Sequence, residues 1–198
     1  HRNLLVNTRA IIAACDMSEQ DHLFSWMPLT HDMGLIGFHL TPLVRDVNQS
    51  LMPTDVFVRR PALWLTEAAK VGATMLCSPN FGYQHVLKSF KPEKHATLNL
   101  STVRLVFNGA EPISVSLCGK FMETFAPFNL SANAMCPVYG LAEASLAVTF
   151  PAMDARFQSL TIDRRKLGIE QNIEIIDPIQ TETGVDFVSV GKPVQDVS

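Results

Sequence analysis

Apolar residues along this chain gather in short runs separated by loops that carry Pro, Gly, Asn and charged side chains. Four runs read as buried strands: His22–Met27, Ala73–Cys77, Val103–Phe107 and Ala134–Val138. They are short, apolar and bounded by turn residues. Longer stretches with helical spacing lie around them. Residues 3–14 place Leu4, Leu5, Ile11 and Ile12 among good helix formers. A second helical run spans Leu35–Leu43. Residues 61–71 set Leu63, Trp64, Ala68 and Val71 on one face, with Pro61 suited to a first helical position and Gly72 placed to stop the helix. Gln84–Phe90 is helical again. A further helix begins near Ser114, a natural N-cap, and presents Leu117, Cys118, Phe121, Met122 and Phe125. The stretch Cys136–Ala144 reads as a strand end, a turn carrying Tyr139, and a helix start carrying Glu143.

Strand, loop and helix thus recur four times. That order predicts an α/β fold with a largely parallel sheet and flanking helices. In such sheets ligands bind outside the carboxyl ends of the strands. The unusual loops all fall at that edge: Pro28–Gly34 after the first strand, Ser78–Tyr83 after the second, Asn108–Pro112 after the third, and Tyr139–Glu143 after the fourth. Past Pro151 the pattern changes. Ser159–Leu167 is charged, and Ile173–Asp177 and Asp186–Val190 read as two antiparallel strands joined by Pro178–Gly184. We therefore expect residues 1–151 to form the central α/β part and residues 152–198 a β-rich segment.

Composition narrows the functional classes. With 47% apolar and 18% charged residues the chain is globular, not disordered. Its net charge of −3 argues against a nucleic-acid partner. No apolar run approaches the roughly 18 residues of a membrane span, so no transmembrane segment is expected. Cys15, Cys77, Cys118 and Cys136 lack metal-site spacing and lie in apolar runs, which predicts buried, reduced thiols and a cytoplasmic protein. The chain opens at His1 inside a helix already under way and ends without a cap, so a piece of a longer protein is expected.

The four loops together resemble the large N-terminal domain of the acyl-adenylate-forming enzymes, with the fatty acyl-AMP ligases the most similar branch. The likeness is carried by Met27–Gly34, Pro79–Tyr83, Phe107–Ile113 and Val138–Ala144, and then by Thr161–Arg165 and Val188–Pro193. It implies an enzyme that joins a carboxylate to ATP, releases pyrophosphate and passes the acyl group to a thiol. Tyr139 would stack on adenine. Asn108, Gly109, Ala110, Glu111 and Pro112 would line the nucleotide, together with Gly140, Leu141 and Ala142. Glu143 would bind Mg²⁺, and His31 would sit near the carboxylate and α-phosphate, both as catalytic residues. Asp32, Met33, Gly34, Asn80 and Phe81 would border the fatty acid. Many relatives carry a threonine just before the acid; here Ala142 stands there, as the acyl-AMP ligase branch leads one to expect. The phosphate loop, the ribose-binding acid and the C-terminal lysine domain of the family are absent from this sequence. The isolated chain is therefore not expected to turn over.

Blander readings stand beside these. Tyr139 could cap a strand, Glu111 could accept a hydrogen bond at a helix start, and His31 with Asp32 could be a satisfied loop pair. Met27, Met33, Met75 and Trp64 read as core. Arg164, Arg165 and Lys166 read as a solvated face, with a docking patch for an acidic carrier protein as the minority reading. The leading function is a fragment of a fatty acid ligase that delivers to an acyl carrier protein thiol. Delivery to coenzyme A is the rival within the class, turning on an extra segment held in residues 151–187. A non-catalytic nucleotide- or acyl-binding module is the rival outside it.

Overall fold

The computed structural model describes residues 1–153, 155–168, 172–177 and 183–195. Helix α1 (Arg2–Ala14) opens the chain and turns Asn7, Thr8, Ala10 and Ile11 inward. Strands β1 (His22–Ser25), β2 (Asn48–Leu51), β3 (Met75–Ser78), β4 (Leu105–Asn108) and β5 (Met135–Pro137) form one sheet in the order β2-β1-β3-β4-β5. Every pairing in it is parallel. All four residues of β3 and of β4 are buried, as strands covered on both faces must be.

A helix of unusually wide turns, Met33–Leu40, follows β1 and leads into α2 (Thr41–Arg45). The amide and hydroxyl of Thr41 both donate to the carbonyl of Ile36, five residues back, the hydroxyl at 2.7 Å. Pro42, next in line, has no N–H with which to restore ordinary winding. Helices α3 (Thr54–Arg59) and α4 (Ala62–Val71) come next, and Gly72, at a φ of 67°, ends α4 where expected. Helix α5 (Asn80–Ser89) follows β3, and α6 (Val115–Phe125) follows β4 with the Ser114 hydroxyl accepting from the Leu117 amide at 3.3 Å.

The two sheet faces carry separate halves of the core. On one side Phe107 meets Phe38 and Phe150 edge to face. On the other, Tyr83 packs on Phe121, and Phe90 on Phe125, between α5 and α6. At the amino edge of the sheet Asp21 and Arg104 form a paired bridge at 2.8 Å from both Nε and an Nη. Arg104 also donates to the Cys15 carbonyl at 3.0 Å, which pins the end of α1 to the start of β4.

Residues 44–60, for which the sequence pattern sets no element, hold β2 and α3. Three expectations need correction. The loop Ser78–Tyr83 is mostly helix, because α5 starts at Asn80. No helix follows the fourth strand. Instead β6 (Tyr139–Gly140) turns through one tight helical turn at Ala142–Ala144 and returns as the antiparallel β7 (Ala147–Phe150). Ser145, at a φ of 74°, reverses the chain, and the Leu141 amide donates to the Leu146 carbonyl at 2.9 Å. Lastly, β9 (Ile175–Ile176) and β10 (Gly184–Val188) do not pair with each other. Both flank β8 (Ser159–Asp163), in the order β10-β8-β9. Most of the expected connection Pro178–Gly184 lies outside the described residues. A final strand, β11 (Lys192–Pro193), pairs with the far edge of β7.

Candidate active site

The parallel sheet brings the carboxyl ends of β1, β4 and β5 together, and one cavity of about 240 Å³ opens there. Its mouth is formed by His31, Asp32, Ala110, Tyr139 and Gly140. Its body is apolar, walled by Met33, Gly37 and Phe38 of the wide helix and by Leu23, Met75 and Phe107 of the sheet. Ile11 of α1 and Cys15 at its end cover it.

Each mouth residue is held by local structure. Tyr139 sits on β6 with half of its surface exposed. Gly140 lies so close to Leu146 that any Cβ there would strike its carbonyl. Gly109 has room for little more: a Cβ would lie 3.1 Å from a Val138 methyl and 3.2 Å from its carbonyl oxygen. Ala110 takes a left-handed φ of 73°, a conformation that costs an L-residue about 1–2 kcal/mol.

His31 and Asp32 share one proton-bearing contact. The Met33 amide lies 2.7 Å from Asp32 Oδ1 and 3.1 Å from His31 Nδ1. Nδ1 is itself 2.7 Å from the same carboxylate oxygen. The amide belongs to the shorter, charge-assisted bond, so Nδ1 carries a hydrogen towards Asp32. That orients the ring and leaves Nε2 as the atom with which it can meet a ligand. Gly34 lies directly behind, where a Cβ would strike the Pro28 carbonyl.

Most of the remaining expected site residues fall elsewhere. Asn80 does not border the cavity. Its Nδ2 donates to the Pro112 carbonyl at 2.5 Å, and its Oδ1 accepts from Asn108 Nδ2 at 3.0 Å and from the Ser114 amide at 3.3 Å. Asn108 is fully buried on the α5–α6 side of the sheet, and its second amide proton goes to Cys118 Sγ at 3.3 Å. Glu111 accepts from the Phe81 amide at 3.2 Å. That is the helix-start role, although the helix is α5 rather than the one that follows Glu111. Phe81, Asn80 and Glu111 line a separate groove between α5 and α6, and Phe81 meets Trp26 edge to face. Leu141 lines the cavity, whereas Ala142 and Glu143 stand exposed on the turn just beyond it.

Met27, Met33, Met75 and Trp64 are all buried in the core, and Met33 and Met75 also wall the cavity. The four thiols are free and buried. Burial pushes Cys15 and Cys77 up to about 12, so neither is a nucleophile at neutral pH. Arg165 is bonded to Asp163 at 2.6 Å and Lys166 to Glu174 at 2.5 Å, which makes these cations part of the β8 sheet. Among the described residues no three His, Cys, Asp or Glu side chains converge on a metal position. No described helix is long and apolar enough to cross a membrane.

The profile of AMP-binding enzymes matches residues 1–185. The chain belongs to the AMP-binding enzyme family. Within that family it is 37% identical over 180 residues to the long-chain-fatty-acid–AMP ligase FadD32 of Mycolicibacterium smegmatis, covering 88% of this chain and 28% of that protein. It is 34% identical to the medium-chain-fatty-acid–acyl-carrier-protein ligase JamA of Moorena producens, covering 98% of this chain and 33% of JamA. Its fold matches a fatty acyl-adenylate ligase from Legionella pneumophila, solved with acyl adenylate and pyrophosphate, at a TM-score of 0.93 and 35% identity. That match covers 99% of this chain and 34% of the other. This AMP-binding chain therefore spans about a third of the length of the relatives it matches.

Of the apolar walls of the cavity, Met33 was among the residues expected to border the fatty acid, whereas Leu23, Met75, Phe107, Ile11 and Cys15 were not. Ile11 of α1 and Cys15, which caps it, are four apart, and Leu23, Met75 and Phe107 lie on one face of adjacent strands. Those spacings were visible, but their meeting depends on which strands are neighbours.

Proposed function

We propose that the protein containing this chain is an ATP-dependent ligase that adenylates a fatty acid and passes the acyl group to the phosphopantetheine thiol of an acyl carrier protein. One observation carries this reading: a single cavity joins a polar mouth, formed by Tyr139, Gly140, Ala110, His31 and Asp32, to a closed apolar body. A nucleotide and an acyl chain meet at a carboxylate in this chemistry, and the cavity offers one end to each.

In this reading the half-exposed ring of Tyr139 stacks on adenine, and Gly109 and Ala110 give the base a wall without bulky side chains. The fatty carboxylate attacks the α-phosphorus of ATP, the bond to the β-phosphate oxygen breaks, and pyrophosphate leaves. His31, with Nδ1 held by Asp32, donates from Nε2 to the negative charge that develops there when its ring carries both hydrogens. A carrier thiolate then attacks the acyl carbon and releases AMP. Glu143 suits Mg²⁺, which is commonly held by one or two carboxylates and substrate phosphates and needs no cage of protein ligands. Bound there, the ion would supply charge neutralisation at the phosphates.

The test supplies the full-length protein with ATP, Mg²⁺ and a ladder of fatty acids, with either phosphopantetheinylated carrier protein or coenzyme A as acceptor. Acyl-adenylate with transfer to the carrier alone is the expected result. Transfer to coenzyme A would overturn the acceptor and keep the adenylation. No adenylate with any fatty acid would overturn the function.

A further inference from the structure

The cavity does not end beneath the mouth. Leu23 is the second residue of β1, and Met75 opens β3 and pairs with it, so the apolar body runs along the strands to the amino edge of the sheet. There Ile11, Cys15 and Met17 close it, and all three are buried, so this end has no exit to solvent. The closure is also fixed. Arg104 donates to the Cys15 carbonyl at 3.0 Å from both Nη atoms and to the Asp16 carbonyl at 3.3 Å. Its Nε holds Asp21 at 2.8 Å, and Asp21 accepts from the Thr74 hydroxyl at 2.7 Å and the Ser18 amide at 2.8 Å. The segment 15–18 is thereby tied to the starts of β3 and β4 by bonds on its outer side, while Cys15 and Met17 face the cavity. A floor held in this way cannot retreat before a longer chain.

We infer that Cys15 and Met17 form a rigid floor that sets an upper limit on acyl chain length, with the Arg104–Asp21 bridge holding that floor in place. This rests on the proposed function. It adds that the acid must end inside the protein, so that the selected substrate is an acyl chain of bounded length.

The test compares kcat/KM across the fatty acid ladder for the full-length wild type, Met17→Ala and Cys15→Met. The quantity read is the ratio of long-acid to short-acid kcat/KM within each variant, which does not depend on how much of the variant is folded. Met17→Ala removes floor and should raise that ratio, by roughly fourfold for each methylene newly accommodated. Cys15→Met adds floor and should lower it. Ratios unchanged in both variants, with adenylation intact, would overturn the floor and leave the proposed function standing. A wild type that adenylates no fatty acid of any length would overturn both.

Discussion

Tyr139 is the residue that the proposed site tests most directly. Half of its ring is open to solvent, so its removal costs little packing. Stacking of a base on an aromatic ring contributes about 1–3 kcal/mol, so Tyr139→Ala should raise KM for ATP by about five- to a hundredfold. Tyr139→Phe should leave it nearly unchanged, and steady-state pyrophosphate release with ATP varied will show the difference. A strand-capping tyrosine would instead lower stability and spare KM. Also at the cavity mouth, Ala110 carries strain at a φ of 73°. Glycine adopts that conformation freely, so Ala110→Gly should stabilise the protein by about 1 kcal/mol, read as a higher urea midpoint at constant slope. The sequence points to Tyr139 and Gly140 because an aromatic and a glycine stand beside an acid, and both do line the cavity. The strain at Ala110 was not legible, because alanine fits most conformations and announces none. Asn80 misled for a related reason. An asparagine in a loop near a site reads as a ligand contact, yet here its amide is spent bracing the 108–114 loop through Pro112, Asn108 and Ser114.

At the scale of elements, legibility followed burial. The strands buried on both faces, β3 and β4, were read within two residues of their ends, and Gly72 and Ser114 bounded their helices as their chemistry demands. The edge strand β2 is Asn-Gln-Ser-Leu, half-buried and polar, and its strand character comes from parallel pairing with β1 and from contacts such as Ser50 with the His22 ring at 2.8 Å. Nothing local encodes that. The hairpin after β5 was missed because Leu-Ala-Glu-Ala is a good helix, overruled by the close approach of Gly140 to Leu146. The Asp21–Arg104 bridge joins elements 83 residues apart and has a measurable signature. Burial works to raise the pKa of Asp21, but bonds from Arg104, Thr74 and the Ser18 amide outweigh it and hold the carboxyl below its ordinary value of 3.8. On acidification the unfolded chain therefore takes up this proton first. The stabilisation is complete above the unfolded pKa and is lost as pH falls through the lower folded value. Asp21→Asn should cost a few kcal/mol at pH 7, since Arg104 is left without its partner, and should flatten the decline of stability below about pH 4. Urea midpoints from pH 7 down to pH 2.5 test both parts at once.

At the scale of the whole chain, the site depends on residues far from it in sequence. β11 returns to pair with β7, and the Val194 amide donates to the Val148 carbonyl at 2.9 Å. β7 in turn pairs with β6, which carries Tyr139 and Gly140. A boundary at residue 152, which we propose on the change of sequence pattern, thus divides the chain by order, while residues 191–194 pack with the earlier part in space. The return is possible because Gly191 takes a φ of 83° against the Phe150 carbonyl, where a Cβ would collide. β7 has a second support on its other side: Asn7 of α1 donates to the Ala147 carbonyl at 2.8 Å and accepts from its amide at 3.0 Å. The two supports can be separated. Gly191→Ala should release β11, so that hydrogen exchange at the Val194 amide speeds up while the Ala147 amide, held by Asn7, stays protected. If β11 braces the mouth, KM for ATP should rise in the same variant with the fatty acid preference unchanged, because the floor at Cys15 and Met17 lies at the opposite end of the cavity. If KM holds steady while Val194 exchanges freely, the mouth does not depend on β11, and Asn7 of α1 is the support of β7 that holds it.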